Sequence, residues 1–458
     1  MIKNVFRRFP GSPFTRLYDE AGLPQQIQRS LFFVMIGNMC GNIHGTITTG
    51  SALAGYAGAL GANDFVFGVL TAIPFIGTLL QIPAAGMVSK AGKRKKFMIS
   101  YGVFSRSMWL FIGLVPYFVP MSPLWLRIWA VILLSCVSSV TGSFINVCFT
   151  SWLSDLVPIG IRGRWISCRD RIIALIGIAV GLLTAYLLDS LPGYVGYSVV
   201  FIAAGLFGIM DMVCFVPAVE IPMKPAANTG FAAVARGIVA NKPFFRFMIF
   251  WTMWSFTTNL HGPFITRYAL DSLHLSFLQV TVFGQLTVAA ITVLAISRWG
   301  RIIDSYGCKP TLWISCIVTA ITPAFMLFSV PGSPVTFFLH NMGSTFWIAC
   351  NLAAGNMLMA LSPSELRPSY IAFYACFTSI AGSFSGVLLG GALLQWIPHF
   401  FAANGITFFG AAPDQYKLVF AIGVICRLST VFIFVPSLTN DRDSTISDLK
   451  NELLHKRR

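Results

Sequence analysis

The sequence predicts an all-α membrane protein of twelve transmembrane helices arranged as two pseudo-symmetric six-helix bundles. Three observations carry that expectation. Hydrophobic residues fill 56% of the 458 positions and charged residues only 10%, a balance that needs lipid to cover it. Apolar runs long enough to cross a ~30 Å hydrocarbon core recur along the whole chain. A polar tetrapeptide occurs twice, as Asn42-Ile43-His44-Gly45 in the first run and as Asn259-Leu260-His261-Gly262 in the seventh. Polar side chains are costly in hydrocarbon and usually face a protein interior or a wet cavity, so their duplication points to two related halves around a functional site.

Taken in order, residues 1–27 are polar and basic and read as a cytoplasmic tail. No cleavable signal is expected in them, because the apolar run that follows is long enough to stay as a helix. Spans at 28–50, 64–88, 96–119, 124–153, 169–191 and 195–217 build an N-terminal bundle over residues 28–217. The stretch 218–242, with Pro222, Pro225, Asn228 and Gly230, is the longest polar interruption and reads as a cytoplasmic linker. Spans at 243–268, 276–298, 309–329, 335–360, 371–395 and 415–436 build a C-terminal bundle over 243–436, and 437–458 is a second cytoplasmic tail.

The net charge of +16 in a soluble protein would suggest nucleic-acid binding. Here the basic residues cluster on one side of the predicted spans: Lys90 and Lys93 to Lys96 after span 2, Arg162 and Arg164 after span 4, Arg298 and Arg301 after span 8. Connections on the other side hold little beyond Arg127, Arg267 and Lys417. By the positive-inside rule both termini are cytoplasmic, and the expected location is a prokaryotic cell inner membrane with lipid, not nucleic acid, as the macromolecular environment. The ten cysteines form no C-x-x-C and no Cys/His cluster with metal spacing. No nucleophile–base pair or Gly-rich phosphate loop occurs, so neither a cofactor nor an enzymatic activity is expected.

Internal comparison supports the duplication. Asn146, Pro158, Arg162, Gly177 and Gly181 recur as Asn351, Pro363, Arg367, Gly382 and Gly386 at one constant offset, and Gly92 matches Gly307. Both copies run in the same direction over the same even number of spans, which makes them parallel repeats about an axis along the membrane normal.

The loop after span 8 reads Gly300-Arg301-Ile302-Ile303-Asp304-Ser305-Tyr306-Gly307-Cys308-Lys309. A Gly, an Asp four residues later, a Gly three after that and then basic residues resemble the cytoplasmic loop motif of the major facilitator superfamily of secondary transporters. The resemblance covers essentially the whole chain. It implies two bundles rocking around a midplane site, with Asp304 latching the cytoplasmic gate and Gly300, Arg301, Gly307 and Lys309 beside it. The copy after span 2 is degraded: Ser89 stands where the Asp would be, ahead of Gly92 and the basic run that includes Arg94, so its latch is expected to be weaker. Arg162 and Arg367, four residues after Pro158 and Pro363, are further gating candidates that could meet Asp155 or Glu365.

The resemblance also implies that spans 1, 4, 7 and 10 line the cavity, and the polar residues fall there independently. His44 and Asn42 on span 1, Asn146 on span 4, Trp254, Thr258, Asn259 and His261 on span 7, and Trp347 and Asn351 on span 10 are the expected substrate contacts. The single buried acid is Asp211, a candidate partner for Arg106; Arg427 in span 12, peripheral in the family, is expected to be structural. No Asp or Glu sits in the middle of spans 1, 4, 7 or 10, so any proton coupling would run through His44 or His261. The expected function is secondary or facilitative transport of a small organic solute, neutral or anionic, by a monomer working through alternating access. The alternatives are a multidrug exporter and a non-transporting sensor on the same scaffold.

Overall fold

A computed structural model of the chain describes residues 22–91, 94–120, 122–123, 125–221, 231–404 and 414–439. Within them all regular structure is helical, and a long helix stands at each of the twelve predicted positions. Ten are apolar enough to cross a membrane by length and composition. The two outside that set, span 1 (Gln25–Thr49) and span 7 (Lys242–Asp271), are those that carry the polar tetrapeptides. Most of the expected tails, the linker over 222–230, and Gly92 lie outside the described residues.

Contacts divide the chain into two compact units. The first comprises Met1–Tyr56 and Leu80–Ala226, the second Ala57–Leu79 and Ala227–Arg458. Span 2 (Asp64–Ala91) is therefore shared, with its beginning grouped with the C-terminal half.

In the first unit, span 3 (Arg94–Phe118), span 4 (Trp125–Leu156), span 5 (Ile159–Ser190) and span 6 (Tyr194–Cys214) pack with span 1. Lipid tails are as apolar as leucine, so burial alone does not drive these helices together; close packing and hydrogen bonds must. Spans 3 and 4 meet through a reciprocal pair: Ser105 Oγ donates to the Ser138 carbonyl at 2.7 Å, and Ser138 Oγ to the Ser105 carbonyl at 3.0 Å. One end of this unit is pinned by Arg94. Its buried guanidinium pairs with Asp155 at 2.7 Å and donates to Ser151 Oγ and the Ile221 carbonyl. The core there is Leu31, Met98, Cys148, Trp152, Trp165 and Phe215.

Span 5 begins at Ile159, ten residues earlier than the hydropathy pattern suggested, because the arginines at 162, 164, 169 and 171 sit on its first turns rather than in a loop. Helices tolerate arginine at the interface, where the long side chain snorkels to water.

The second unit holds span 7, span 8 (Phe277–Tyr306), span 9 (Cys308–Phe328), span 10 (Val335–Leu361), span 11 (Arg367–Ala403) and span 12 (Gln415–Ser437). Its core is aromatic: Phe244, Phe247, Phe250 and Trp254 on span 7 meet Tyr370 and Tyr374 on span 11, with Phe247 and Tyr374 stacked at 5.8 Å. Span 11 lies on the backbone of span 7. A Cβ at Gly386 would fall 2.3 Å from the Phe256 carbonyl oxygen, so only glycine permits that approach. Several helices are irregular, and three of them within their length. Spans 8 and 11 carry π-helical turns at Thr281–Leu286 and Thr378–Phe384. Span 10 is interrupted at Gly343, which separates Val335–Met342 from Ser344–Leu361.

Candidate functional site

Each unit contains a cavity with polar side chains in its wall, among its own helices. The second unit's is the larger, about 370 Å³, within the range of small-molecule sites. Thr258 and His261 reach it from span 7, Thr322 from span 9, His340 and Trp347 from the two segments of span 10, and Arg427 from span 12. The interruption at Gly343 matters here: it ends one segment just past His340 and starts the next at Ser344, which also lines the cavity.

Arg427 is the unusual member. It is 4% exposed, and among the described residues it has neither a carboxylate partner nor a hydrogen-bond acceptor; its Nε is buried and unpartnered. Its guanidinium carbon lies 4.5 Å from the centre of the Trp254 ring and 5.9 Å from that of Trp347, and the two indoles stack 6.3 Å apart. Desolvated cation–π contacts contribute about 2 kcal/mol, but they leave the five N–H donors of the guanidinium edge unsatisfied. The hydroxyls of Thr258 and Ser344 and the Nδ1 of His340 are likewise buried without partners.

The first unit's cavity is about 250 Å³, lined by Asn38, Asn42, Asn146, Arg106 and Asp211 among others. Here the arginine, half-buried, has its acid: Arg106 Nη2 lies 3.7 Å from Asp211 Oδ2. That is the pairing expected from the sequence. The Asn42 amide oxygen is buried and unpartnered.

The two histidines occupy matching seats. His44 is buried, its Nδ1 2.9 Å from the Ala204 carbonyl oxygen on span 6, and its ring meets Trp109 edge to face. A Cβ at Gly208 would fall 2.8 Å from that Nδ1. His261 sits in the same way against Gly423 of span 12, where a Cβ would fall 2.5 Å from its Nδ1, which lies 3.1 Å from the Thr257 carbonyl oxygen. Gly208 and Gly423 are related by the offset that relates Gly92 to Gly307. Of the pair, only His261 lines its unit's cavity.

The remaining expected contacts divide. Trp254 backs Arg427 from behind the cavity wall. Asn259 and Asn351 donate to carbonyls of their own helices, those of Ser255 and Trp347, and neither lines the cavity in the second unit. Sequence reasoning missed His340 and Asn341 and assigned Arg427 to structure alone. An arginine deep in an apolar span with no acid in reach was the available signal.

The gating candidates show a different arrangement from the expected one. Arg162 does not meet Asp155, which Arg94 has taken; it donates to the carbonyls of Val157 and Ser154 and so caps the end of span 4. Arg367 forms no ion pair with Glu365 among the described residues, and its Nε is buried and unpartnered. Arg301 and Asp304 are exposed, and Asp304 has no ion-pair partner among the described residues. Gly307 ends span 8 at φ 84°, a left-handed conformation that favours glycine, and Lys309 donates to the Pro436 carbonyl at 2.8 Å. Gly300 has open space around it, and Ser89 lies within span 2.

A well-formed charge cluster occurs instead at the opposite ends of the second unit's helices. Arg267 Nε lies 3.1 Å from Asp64 and 3.2 Å from Asp271, and Tyr416 donates to Asp64 at 2.6 Å. The cluster ties the start of span 2 to spans 7 and 12.

The family model described as Major Facilitator Superfamily matches residues 31–386. No curated protein matches the chain. Among solved structures, a bacterial homologue of the human lysosomal transporter Spinster is similar at TM-score 0.67 and 16% identity, with 91% of this chain and 96% of that one covered. A D-xylose–proton symporter is similar at TM-score 0.61 and 15% identity, covering 89% and 96%. The nucleoside transporter NupG is similar at 0.58 and 15%, covering 90% and 99%. At these identities the likenesses speak for the fold alone.

Proposed function

The chain belongs to the major facilitator superfamily and is a multi-pass membrane protein, and on that footing we propose that it moves a small organic solute across a cell inner membrane by alternating access. It works as a monomer with both termini in the cytoplasm. The observation that supports this reading is the chamber of the second unit, where apolar and aromatic walls with a few unpartnered buried polar groups surround enough space for a small molecule. His261, Thr258 and Trp347 contact the solute there, and Trp254 sets the wall behind them. Asn42 and Asn146 line the separate cavity of the first unit. His44, Asn259 and Asn351 support their helices in the geometry described above. The Asp64–Arg267 cluster and the 8–9 loop are the elements whose bonds change as access alternates.

Counterflow in proteoliposomes tests the reading. Protein reconstituted with an unlabelled solute inside should accumulate the same labelled solute transiently, and His261→Ala should reduce the initial rate at least tenfold. A panel of neutral and anionic metabolites that all fail to exchange, while one of them still binds, would leave a sensor on a transporter scaffold.

A further inference from the structure

We infer that Arg427 is the anchor of an anion seat, and that the second unit's chamber takes a small organic monocarboxylate. The inference rests on the transport reading for its physiological meaning and names the substrate class of that site. Arg427 is almost fully buried and lines the cavity. No Asp or Glu lines it, so the chamber holds one fixed positive charge and nothing to neutralise it. An arginine at the centre of a membrane helix costs about 2.5–3.5 kcal/mol on insertion scales, and cation–π contact offsets only part of that. Each donor of a buried charge left without an acceptor adds a further penalty. The missing partner is an anion.

The geometry narrows its chemistry. The guanidinium carbon lies 4.5 Å from the Trp254 ring centre and 5.9 Å from that of Trp347, and the residue lines the cavity, where its planar N–H edge has no acceptor among the described residues. That edge matches the two oxygens of a carboxylate in bidentate fashion. One unpaired cation balances one negative charge. Ser344 and Thr258 line the same cavity, and their hydroxyls are unpartnered donors. Phe337, Ile265 and Val288 give the rest of the solute an apolar wall. Span 12 thus contributes the charge, although its sequence neighbours are those of a scaffold helix.

Thermal unfolding of the purified full-length protein in detergent tests the seat, at fixed ionic strength and chloride. The probes are sodium acetate, hexanoate and benzoate against acetamide, hexanamide and benzamide. At least one carboxylate should raise the melting temperature saturably while its amide does not. Arg427→Gln should abolish the shift, and Arg427→Lys should weaken apparent affinity at least tenfold, because an ammonium lacks the planar fork. If Arg427→Gln does not fold, Arg427→Lys and Ser344→Ala carry the test, each weakening the carboxylate response without creating an amide response. Equal shifts from acid and amide, no response to any carboxylate, a wild-type response in Arg427→Lys, or the same shift from sodium sulfate would each overturn the seat. Counterflow separates it from the transport reading. Arg427-dependent binding without counterflow keeps the seat and removes transport. Counterflow of a neutral solute that ignores Arg427→Lys keeps transport and removes the seat.

Discussion

Each half of the molecule sets an arginine beside a cavity among its helices, Arg106 half-buried and Arg427 buried, and the two are treated differently. Arg106 on span 3 stands beside Asp211 of span 6. Arg427 on span 12 has two indoles beside it and no acid. The surrounding frame is otherwise repeated: a histidine of the first helix of each half sits against a glycine of the last, His44 on Gly208 and His261 on Gly423. The repeat supplies the scaffold, and the departure from it marks where one half has a charge left to offer. A compensated arginine is architecture, whereas an uncompensated one in a cavity is a receptor.

The largest effect should come from removing the compensation. Asp211→Asn leaves the half-buried Arg106 beside a neutral amide and should destabilise the protein by about 1–3 kcal/mol, read by denaturant unfolding in micelles. A loss near zero would mean that Arg106, like Arg427, stands without a needed partner, and the contrast between the halves would collapse. Next come the two glycine seats. Gly208→Ala and Gly423→Ala each place a methyl group within 2.8 and 2.5 Å of a histidine nitrogen, and each should cost about 1–3 kcal/mol by overpacking. Similar losses would confirm that the seats are equivalent; a loss in one alone would break the correspondence.

Ser344→Asp sharpens the comparison from the other side by giving the second cavity an acid of its own. Carboxylate-induced stabilisation should weaken about tenfold, or ~1.4 kcal/mol, in the same melting assay, while the unliganded protein melts no lower. Ser138→Ala should be the mildest change. It removes the shared hydroxyl between spans 3 and 4, and polar contacts between membrane helices average about 0.6 kcal/mol. A loss several times larger would place that serine pair among the principal ties of the first unit.

The spans were legible in the sequence because twenty-odd apolar residues have few other uses, and the repeat was legible because polar residues in such runs are rare enough to be matched by eye. Direction around each helix was not legible. His44 and His261 are equivalent in sequence, yet only His261 lines its unit's cavity, a difference set by packing against distant spans. Arg427 looked structural because span 12 is peripheral in related proteins; its role depends on how that helix is rotated and on the break at Gly343, which brings His340 to the same cavity. Asp304 lies in a recognisable motif but is exposed, while the cluster around Arg267 joins residues hundreds of positions apart that share no local pattern.

The indole pair behind Arg427 has a kinetic consequence. A free arginine side chain carries about 2 kcal/mol of rotamer entropy, and a receptor that must still the chain on each encounter loses that much affinity. Held in cation–π contact with two rigid rings, this one is stilled beforehand. A guest therefore arrives at a finished surface and has only its own water to shed. Arrival should be quick and much the same for every molecule that fits, leaving discrimination to how long each one stays.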